Sequence, residues 1–83
     1  MKLELYYMES CPFCAKVLST LDQQGMVSQV TAYDISEDER SAERLMQLNK
    51  GDEQVPCLVV DGRPMLGSDE IITWLSENVR KSA

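Results

Sequence analysis

The 83-residue chain contains no histidine. This absence excludes a Cys–His nucleophile pair, a histidine-ligated zinc site and an imidazole base. The sequence also lacks the roughly 18 consecutive apolar residues of a membrane span. Its first ten residues, MKLELYYMES, place Glu4 inside the one apolar run and so do not form a signal-peptide core. We therefore expect a cytoplasmic protein.

Basic residues are also scarce, with 8 Lys and Arg against 14 Asp and Glu, for a net charge of −6. An acidic surface repels nucleic acid and anionic lipid, and no basic stripe is present, so we expect neither partner. The length predicts a single domain over residues 1–83. The apolar fraction of 43% is ordinary for a globular protein.

Only three cysteines are present, and an odd number in a short cytoplasmic chain does not indicate a disulfide framework. Two of them form the motif Cys11-Pro12-Phe13-Cys14. The next residue is Ala15, which excludes a haem-attachment motif.

The hydrophobic pattern predicts seven elements. Period-two alternation and β-branched content predict strands at residues 3–7, 27–35, 57–60 and 64–66. Helical periodicity predicts three helices. The first covers residues 12–24, and the second follows a capping box formed by Ser36 and Glu39. The third follows a capping Ser68 and has Val79 on its inner apolar stripe. Gly25 and Gly51 are the expected helix stops, and Asp61-Gly62 the hairpin turn. The order β-α-β-α-β-β-α predicts an α/β fold with a four-stranded mixed sheet flanked by three helices.

Three interpretations compete for the cysteine pair. In the first interpretation both cysteines are buried apolar residues. This fits Cys14, which begins the apolar stripe of the first helix, but not Cys11, which precedes that helix. A zinc site needs four ligands, and with only Cys57 left and no histidine one chain cannot complete it, whereas a dimer or an added thiol ligand could. Redox chemistry fits best, because unpaired N–H groups at a helix start stabilise a thiolate and a C-x-x-C spacing brings the second sulfur within reach.

The two cysteines are therefore expected to differ. Cys11 would be the exposed, anionic nucleophile, and Cys14 the partly buried resolving thiol with the higher pKa. Pro12 suits the first helical turn, Phe13 separates the pair, and Lys16 would favour the Cys11 thiolate if its side chain folded back.

The segments SCPFC, QVPCLVVDG and LGSDEI, in this order along nearly the whole chain, resemble glutaredoxins. The resemblance implies a thioredoxin-like fold and glutathione-dependent thiol–disulfide exchange through Cys11 and Cys14, at roughly −200 to −230 mV. It implies that Val55 pairs its backbone with glutathione and that Pro56 is a cis-proline. Ser68 and Asp69 match the positions that hold the γ-glutamyl end.

The sequence departs from the glutaredoxin pattern at three places. Met8 stands where relatives often carry a lysine for the glycyl carboxylate of glutathione. The segment Gly51-Asp52-Glu53-Gln54 replaces a stretch that is often basic or rich in threonine. Cys57 follows Pro56 directly, and we interpret it as a buried core residue, the alternative being a third thiol near the active site.

The expected function is reduction of protein disulfides or glutathionylated proteins by a monomer, with glutathione as co-substrate and no tightly bound cofactor or metal. One alternative is a thiol-binding module, because residues 55–75 also resemble the N-terminal domain of glutathione transferases. Another is a dimeric iron–sulfur carrier. Pro12 argues against this alternative, because relatives that bind a cluster usually have a small residue at that position.

Overall fold

The computed structural model describes residues 2–51 and 54–78. The predicted residues Asp52, Glu53 and Val79 lie outside that part of the chain. The predicted order of helices and strands is confirmed, with one added 3₁₀ turn at Val27–Gln29. The strands are β1 (Leu3–Tyr7), β2 (Val30–Asp34), β3 (Cys57–Val60) and β4 (Arg63–Leu66), and the helices are α1 (Pro12–Gln23), α2 (Glu39–Leu48) and α3 (Ser68–Asn78).

The four strands form one mixed sheet in the order β2-β1-β3-β4, as predicted. β1 pairs in parallel with β2 and antiparallel with β3, which pairs antiparallel with β4. Pro64 lies on β4, at the edge of the sheet, where a missing N–H is tolerated. The turn into β4 has positive φ at both Asp61 (49°) and Gly62 (89°), as a two-residue hairpin of the predicted kind requires.

The sheet separates two apolar cores. On one face, alternate residues of β1 and β3 pack against helices α1 and α3, and the buried members are Leu3, Leu5, Val17, Leu21, Met26, Val30, Leu58, Ile71 and Leu75. On the other face the core is smaller and lies against α2, with the buried members Tyr6, Leu45, Cys57 and Val59. This period-two alternation places Glu4 and Tyr6 on the α2 face of the inner strand β1.

Helix α1 ends as predicted, at a glycine with a left-handed backbone. Gly25 has φ of 68°, and its N–H donates to the carbonyl of Asp22 at 3.1 Å. The next N–H, of Met26, donates to the carbonyl of Leu21 at 2.9 Å. This pair of bonds is a Schellman motif, and it carries the Met26 side chain into the core beside Leu21.

The predicted start of the second strand at residue 27 is wrong. Residues Val27–Gln29 form a 3₁₀ turn, in which the N–H of Gln29 donates to the carbonyl of Met26 at 2.9 Å. Because Met26 is anchored in the core at 1% exposure, the chain makes one more turn before it joins the sheet at Val30. β-branched composition does not distinguish such a turn from a strand.

The predicted cap of the second helix is also wrong by two residues. The N-cap is Asp38, whose carboxylate accepts from the N–H of Arg40 at 3.1 Å and from the hydroxyl of Ser41 at 2.9 Å. Ser36 instead donates its N–H and hydroxyl to the carboxylate of Asp34, which ends β2. Because Ser36 makes its hydrogen bonds in this local turn, its hydroxyl does not cap the helix that follows.

Ser68, predicted as the cap of the last helix, is its first helical residue. The carbonyl of Gly67 accepts the first intrahelical bond, from the N–H of Ile71 at 3.0 Å. Gly67 has φ of 95°, a conformation open to glycine, and it turns the chain sharply from β4 into α3. Within residues 2–51 and 54–78, no helix is long and apolar enough to cross a membrane.

Candidate active site at the start of helix α1

Cys11 is the N-cap of helix α1. Its backbone is extended, and its Sγ atom accepts a hydrogen bond from the N–H of Cys14 at 3.4 Å. Pro12 occupies the first turn, as predicted, where its missing N–H leaves no bond unmade. The Cys11 N–H donates to the carbonyl of Met8 at 3.1 Å, which fixes the loop between β1 and α1. The sulfur therefore sits on the positive end of the helix.

The pKa of Cys11 lies below its ordinary value of 9.0. Partial burial acts to raise this pKa, but hydrogen bonds from the Cys14 N–H, the Cys14 thiol and the Phe13 N–H outweigh the burial. Lys16 is not among the causes, because its ammonium extends to Asp69 instead of folding back over Cys11. Backbone donors, more than a neighbouring cation, favour the Cys11 thiolate.

Cys14 behaves in the opposite way. It has no solvent exposure, and burial raises its pKa to about 11, against a weaker lowering by a hydrogen bond with the Met8 backbone. Its bond to the Cys11 sulfur and the charges of Cys11 and Asp34 raise the pKa further. When Cys11 ionises, the pair is therefore a Cys11 thiolate that receives a hydrogen bond from the Cys14 thiol.

A groove of about 320 Å³ lies beside this pair. It brings together five predicted residues from separate parts of the chain: Phe13 of α1, Val55 and Pro56 before β3, and Ser68 and Asp69 of α3. The peptide bond before Pro56 is cis. The other lining residues are Gln54, Gly67 and Glu70. Phe13 is 58% exposed, so its ring is available to a molecule in the groove.

Lys16 and Asp69 join the two helices that border the groove. The Lys16 Nζ atom lies 3.7 Å from a carboxylate oxygen of Asp69, and both side chains are largely exposed. An exposed pair of this kind contributes between about 0 and 1 kcal/mol, so a ligand ammonium would exchange with Lys16 at little cost.

Comparison with known proteins gives the family. The family model described as "Glutathione S-transferase, N-terminal domain" matches residues 5–83. A probable glutaredoxin from Synechocystis is 30% identical over 70 residues, covering 84% of this chain and 77% of the relative. The chain belongs to the family of glutaredoxins and glutathione S-transferase N-terminal domains.

Solved structures share the fold of this chain. A thioredoxin-like protein superposes with a TM-score of 0.73 at 25% identity, covering 89% of this chain and 99% of that protein. Glutathione transferase Omega 3C from Trametes versicolor superposes with a TM-score of 0.80 at 18% identity, and the whole of this chain covers 36% of it. The glutaredoxin-like chain therefore spans about a third of that transferase.

The third cysteine of this glutaredoxin-like domain is buried away from the pair. Cys57 has no solvent exposure and belongs to the core on the α2 face, whereas Cys14 lies on α1, which packs on the other face. Burial raises the pKa of Cys57, against a weaker lowering by the Asn49 amide, which donates to its sulfur at 3.8 Å. These contacts agree with a core role.

Three exposed or half-exposed carboxylates near the pair were not predicted as part of the site. Oxygens of Glu9, Asp34 and Glu37 lie within 4.8 Å of one another. Together with burial, which is the larger cause, they raise the pKa of Tyr7. No local sequence pattern indicates this group, because Glu9 meets the others only through the parallel pairing of β1 with β2. Gln54, Gly67 and Glu70 of the groove were also missed, although each lies within one or two residues of a predicted position.

Proposed function

We propose that the domain is a glutathione-dependent thiol–disulfide oxidoreductase that reduces glutathionylated proteins or protein disulfides. The observation that carries this proposal is the asymmetry of the pair: Cys11 has a lowered pKa, and Cys14 a pKa of about 11. An attacking sulfur must be a thiolate at working pH, whereas a resolving sulfur stays protonated until a mixed disulfide has formed.

The reaction begins when the Cys11 thiolate attacks the glutathionyl sulfur of a glutathionylated protein. A new bond joins Cys11 to that sulfur, and the protein leaves as a thiolate that takes a proton from solvent. The thiolate of a second glutathione then attacks the same glutathionyl sulfur, which releases the Cys11 thiolate and glutathione disulfide. For a protein disulfide, the Cys11 thiolate attacks one sulfur and releases the other as a thiolate. Cys14 then loses its proton to solvent and attacks the Cys11 sulfur, which releases the second protein thiolate. Two glutathione molecules later reduce the Cys11–Cys14 disulfide and leave as glutathione disulfide.

The groove supports glutathione as the co-substrate. Val55 and Pro56 border it from the segment before β3, where the Val55 backbone would pair with the cysteinyl part of the tripeptide. Ser68 and Asp69 border it from the start of α3, where unpaired N–H groups favour a carboxylate. Phe13 adds an exposed apolar wall beside the reacting sulfur.

The acidic group of Glu9, Asp34 and Glu37 bears on the protein partner. Negative charge beside Cys11 favours the approach of substrates whose disulfide lies in a basic segment. We propose that such proteins react as one-to-one complexes with the monomer, in the reducing cytoplasm where free thiols persist.

The test is glutathione-coupled reduction of a small glutathionyl mixed disulfide. We expect Cys11→Ser to abolish turnover and Cys14→Ser to retain part of it, because glutathione alone resolves the intermediate on Cys11. The matched control is Cys57→Ser, which removes a thiol from the other face of the sheet and leaves the pair intact. Full activity in Cys11→Ser would overturn the proposal.

A second candidate is a thiol-binding module without turnover, and the match to transferase N-terminal domains favours it. The same variants separate the two functions. A binding module would retain glutathione by calorimetry while the wild type, Cys11→Ser and Cys14→Ser all fail to turn over the mixed disulfide.

A further inference from the structure

A second cavity lies on the opposite face of the sheet, between β1, β2 and helix α2. Its volume is about 340 Å³, at the lower end of the range for small-molecule sites. It shares no lining residue with the groove beside Cys11. Its lining includes Glu4 and Tyr6 of the inner strand β1 and the basic residues Lys2, Arg40 and Arg44.

Glu4 supplies a buried acid to this cavity. The residue is 4% exposed, and among the described residues no donor makes a hydrogen bond to its carboxylate. Two cations approach it, Lys2 and Arg44, each at 3.9 Å, which is the distance of a loose ion pair. Burying a carboxylate is costly unless hydrogen bonds replace its hydration. The described residues therefore hold this carboxylate by two loose ion pairs and by no closer hydrogen bond.

The Tyr6 hydroxyl is a second buried polar group in the same cavity. Tyr6 is fully buried, and among the described residues its oxygen has no partner in full hydrogen-bonding geometry, the Arg44 guanidinium being close enough only for a weak hydrogen bond. Burial and the charge of Glu4 raise its pKa, outweighing the lowering by the charge of Arg44 and by a weak hydrogen bond from its guanidinium, so the group remains a neutral hydroxyl. Buried hydroxyls without a partner are uncommon in native proteins.

The basic side chains are arranged differently from these two groups. The side chains of Lys2 and Arg44 are 71% and 56% exposed, and Arg40 is exposed as well. Three of the eight basic residues of a chain with net charge −6 thus meet at one cavity. The floor offers acceptors, and the rim offers three positive side chains and one carboxylate, that of Asp38, which is bound to the N–H of Arg40 and the hydroxyl of Ser41.

We propose that this cavity binds the zwitterionic head group of a free α-amino acid. The ammonium would donate to the Glu4 carboxylate and the Tyr6 oxygen, and the carboxylate would face Arg40, Arg44 and Lys2. A simple anion would have to share the cavity with the Glu4 carboxylate, and a simple cation would have to pass the three basic side chains. A molecule that carries both charges about one residue apart satisfies the floor and the rim together.

The experiment is titration of the ¹⁵N-labelled full chain with L-alanine, followed by amide chemical shifts. Propionate, ethylamine and inorganic phosphate are the single-charge comparisons. We expect saturable shifts in β1 and α2 with alanine, and at least roughly fivefold weaker binding of each comparison, the cost of losing an ion pair worth about 1 kcal/mol. Propionate or phosphate binding as tightly as alanine would overturn the proposal, as would no saturable shift with alanine.

Variants locate the site. Glu4→Gln and Tyr6→Phe conserve side-chain volume and are expected to weaken alanine binding, the first by about fivefold or more. Arg40→Gln is exposed and so leaves the fold intact if either buried variant does not fold. The matched control is Glu43→Gln, an exposed position of α2 that does not line the cavity. Equal affinity in Arg40→Gln and Glu43→Gln would overturn the proposed rim.

Discussion

The backbone N–H of Cys14 donates a hydrogen bond of 3.4 Å to the sulfur of Cys11. The residue that would resolve a mixed disulfide thus also stabilises the thiolate that would form it. Because this donor belongs to the backbone, it persists when the Cys14 side chain is changed. Nucleophile activation at Cys11 is therefore partly independent of the second thiol.

Alkylation by iodoacetamide should separate the two thiols. We expect Cys11 to react with a midpoint below pH 9, since hydrogen bonds lower its pKa, and Cys14 to remain unmodified until well above pH 9, since burial raises its pKa to about 11. Peptide mass spectrometry across pH 5–11 measures each site. In Cys14→Ser the Cys11 midpoint should stay below pH 9, because the backbone donor remains. Equal midpoints for the two wild-type cysteines would contradict the asymmetry.

Stability should fall in alkaline solution because of Cys14. Its pKa rises from 9.0 in the unfolded chain to about 11 in the fold. The protonated Cys14 thiol therefore contributes fully to the free energy of unfolding below pH 9, and this contribution is lost as the pH rises through 11. At about 1.4 kcal/mol per pKa unit, the loss is about 2 to 3 kcal/mol. Urea unfolding under reducing conditions from pH 8 to 11 measures it. The decline should be smaller in Cys14→Ala, and an unchanged decline in that variant would argue against the assignment.

Asp69→Asn should raise the KM for glutathione about threefold to fivefold and leave kcat nearly unchanged. The exposed carboxylate pairs an ammonium in high dielectric, and such a pair is worth at most about 1 kcal/mol. Steady-state kinetics with varied glutathione measures the change. Glu77→Gln, an exposed acid on the same helix outside the groove, is the matched control. If both variants raised KM equally, net charge and not position 69 would be responsible.

Asp38→Ala should destabilise the domain by about 1 kcal/mol, because it removes the cap of α2. Ser36→Ala should cost less than about half of that, since its hydroxyl serves an exposed turn. Urea midpoints of the two variants provide the comparison. The reverse ranking would restore Ser36 as the cap.

Much of the fold was available from the sequence, because the apolar periodicity of residues such as Val17 and Leu21 agrees with helix stops such as Gly25. The errors lie at element boundaries, where Asp34 competes for Ser36 and where Met26 is drawn into the core. Local patterns do not report such tertiary or side-chain competition.

The site was predictable only in part. Helical phase separated Cys11 from Cys14, and the resemblance to glutaredoxins supplied the cis peptide at Pro56. The ion pair between Lys16 and Asp69 depends on how α1 and α3 pack, so no local pattern indicates it. The same holds for Glu4, whose burial becomes visible only when α2 is placed over the sheet.

The burial of Cys57 makes selective labelling of Cys11 possible in the native chain. Of its three thiols, only Cys11 is partly exposed, while Cys14 and Cys57 are fully enclosed. The native chain thus has a single thiol that is accessible to reagents, and it is the reacting sulfur. A maleimide fluorophore or spin label should attach there with one-to-one stoichiometry, with no need to engineer the other cysteines away.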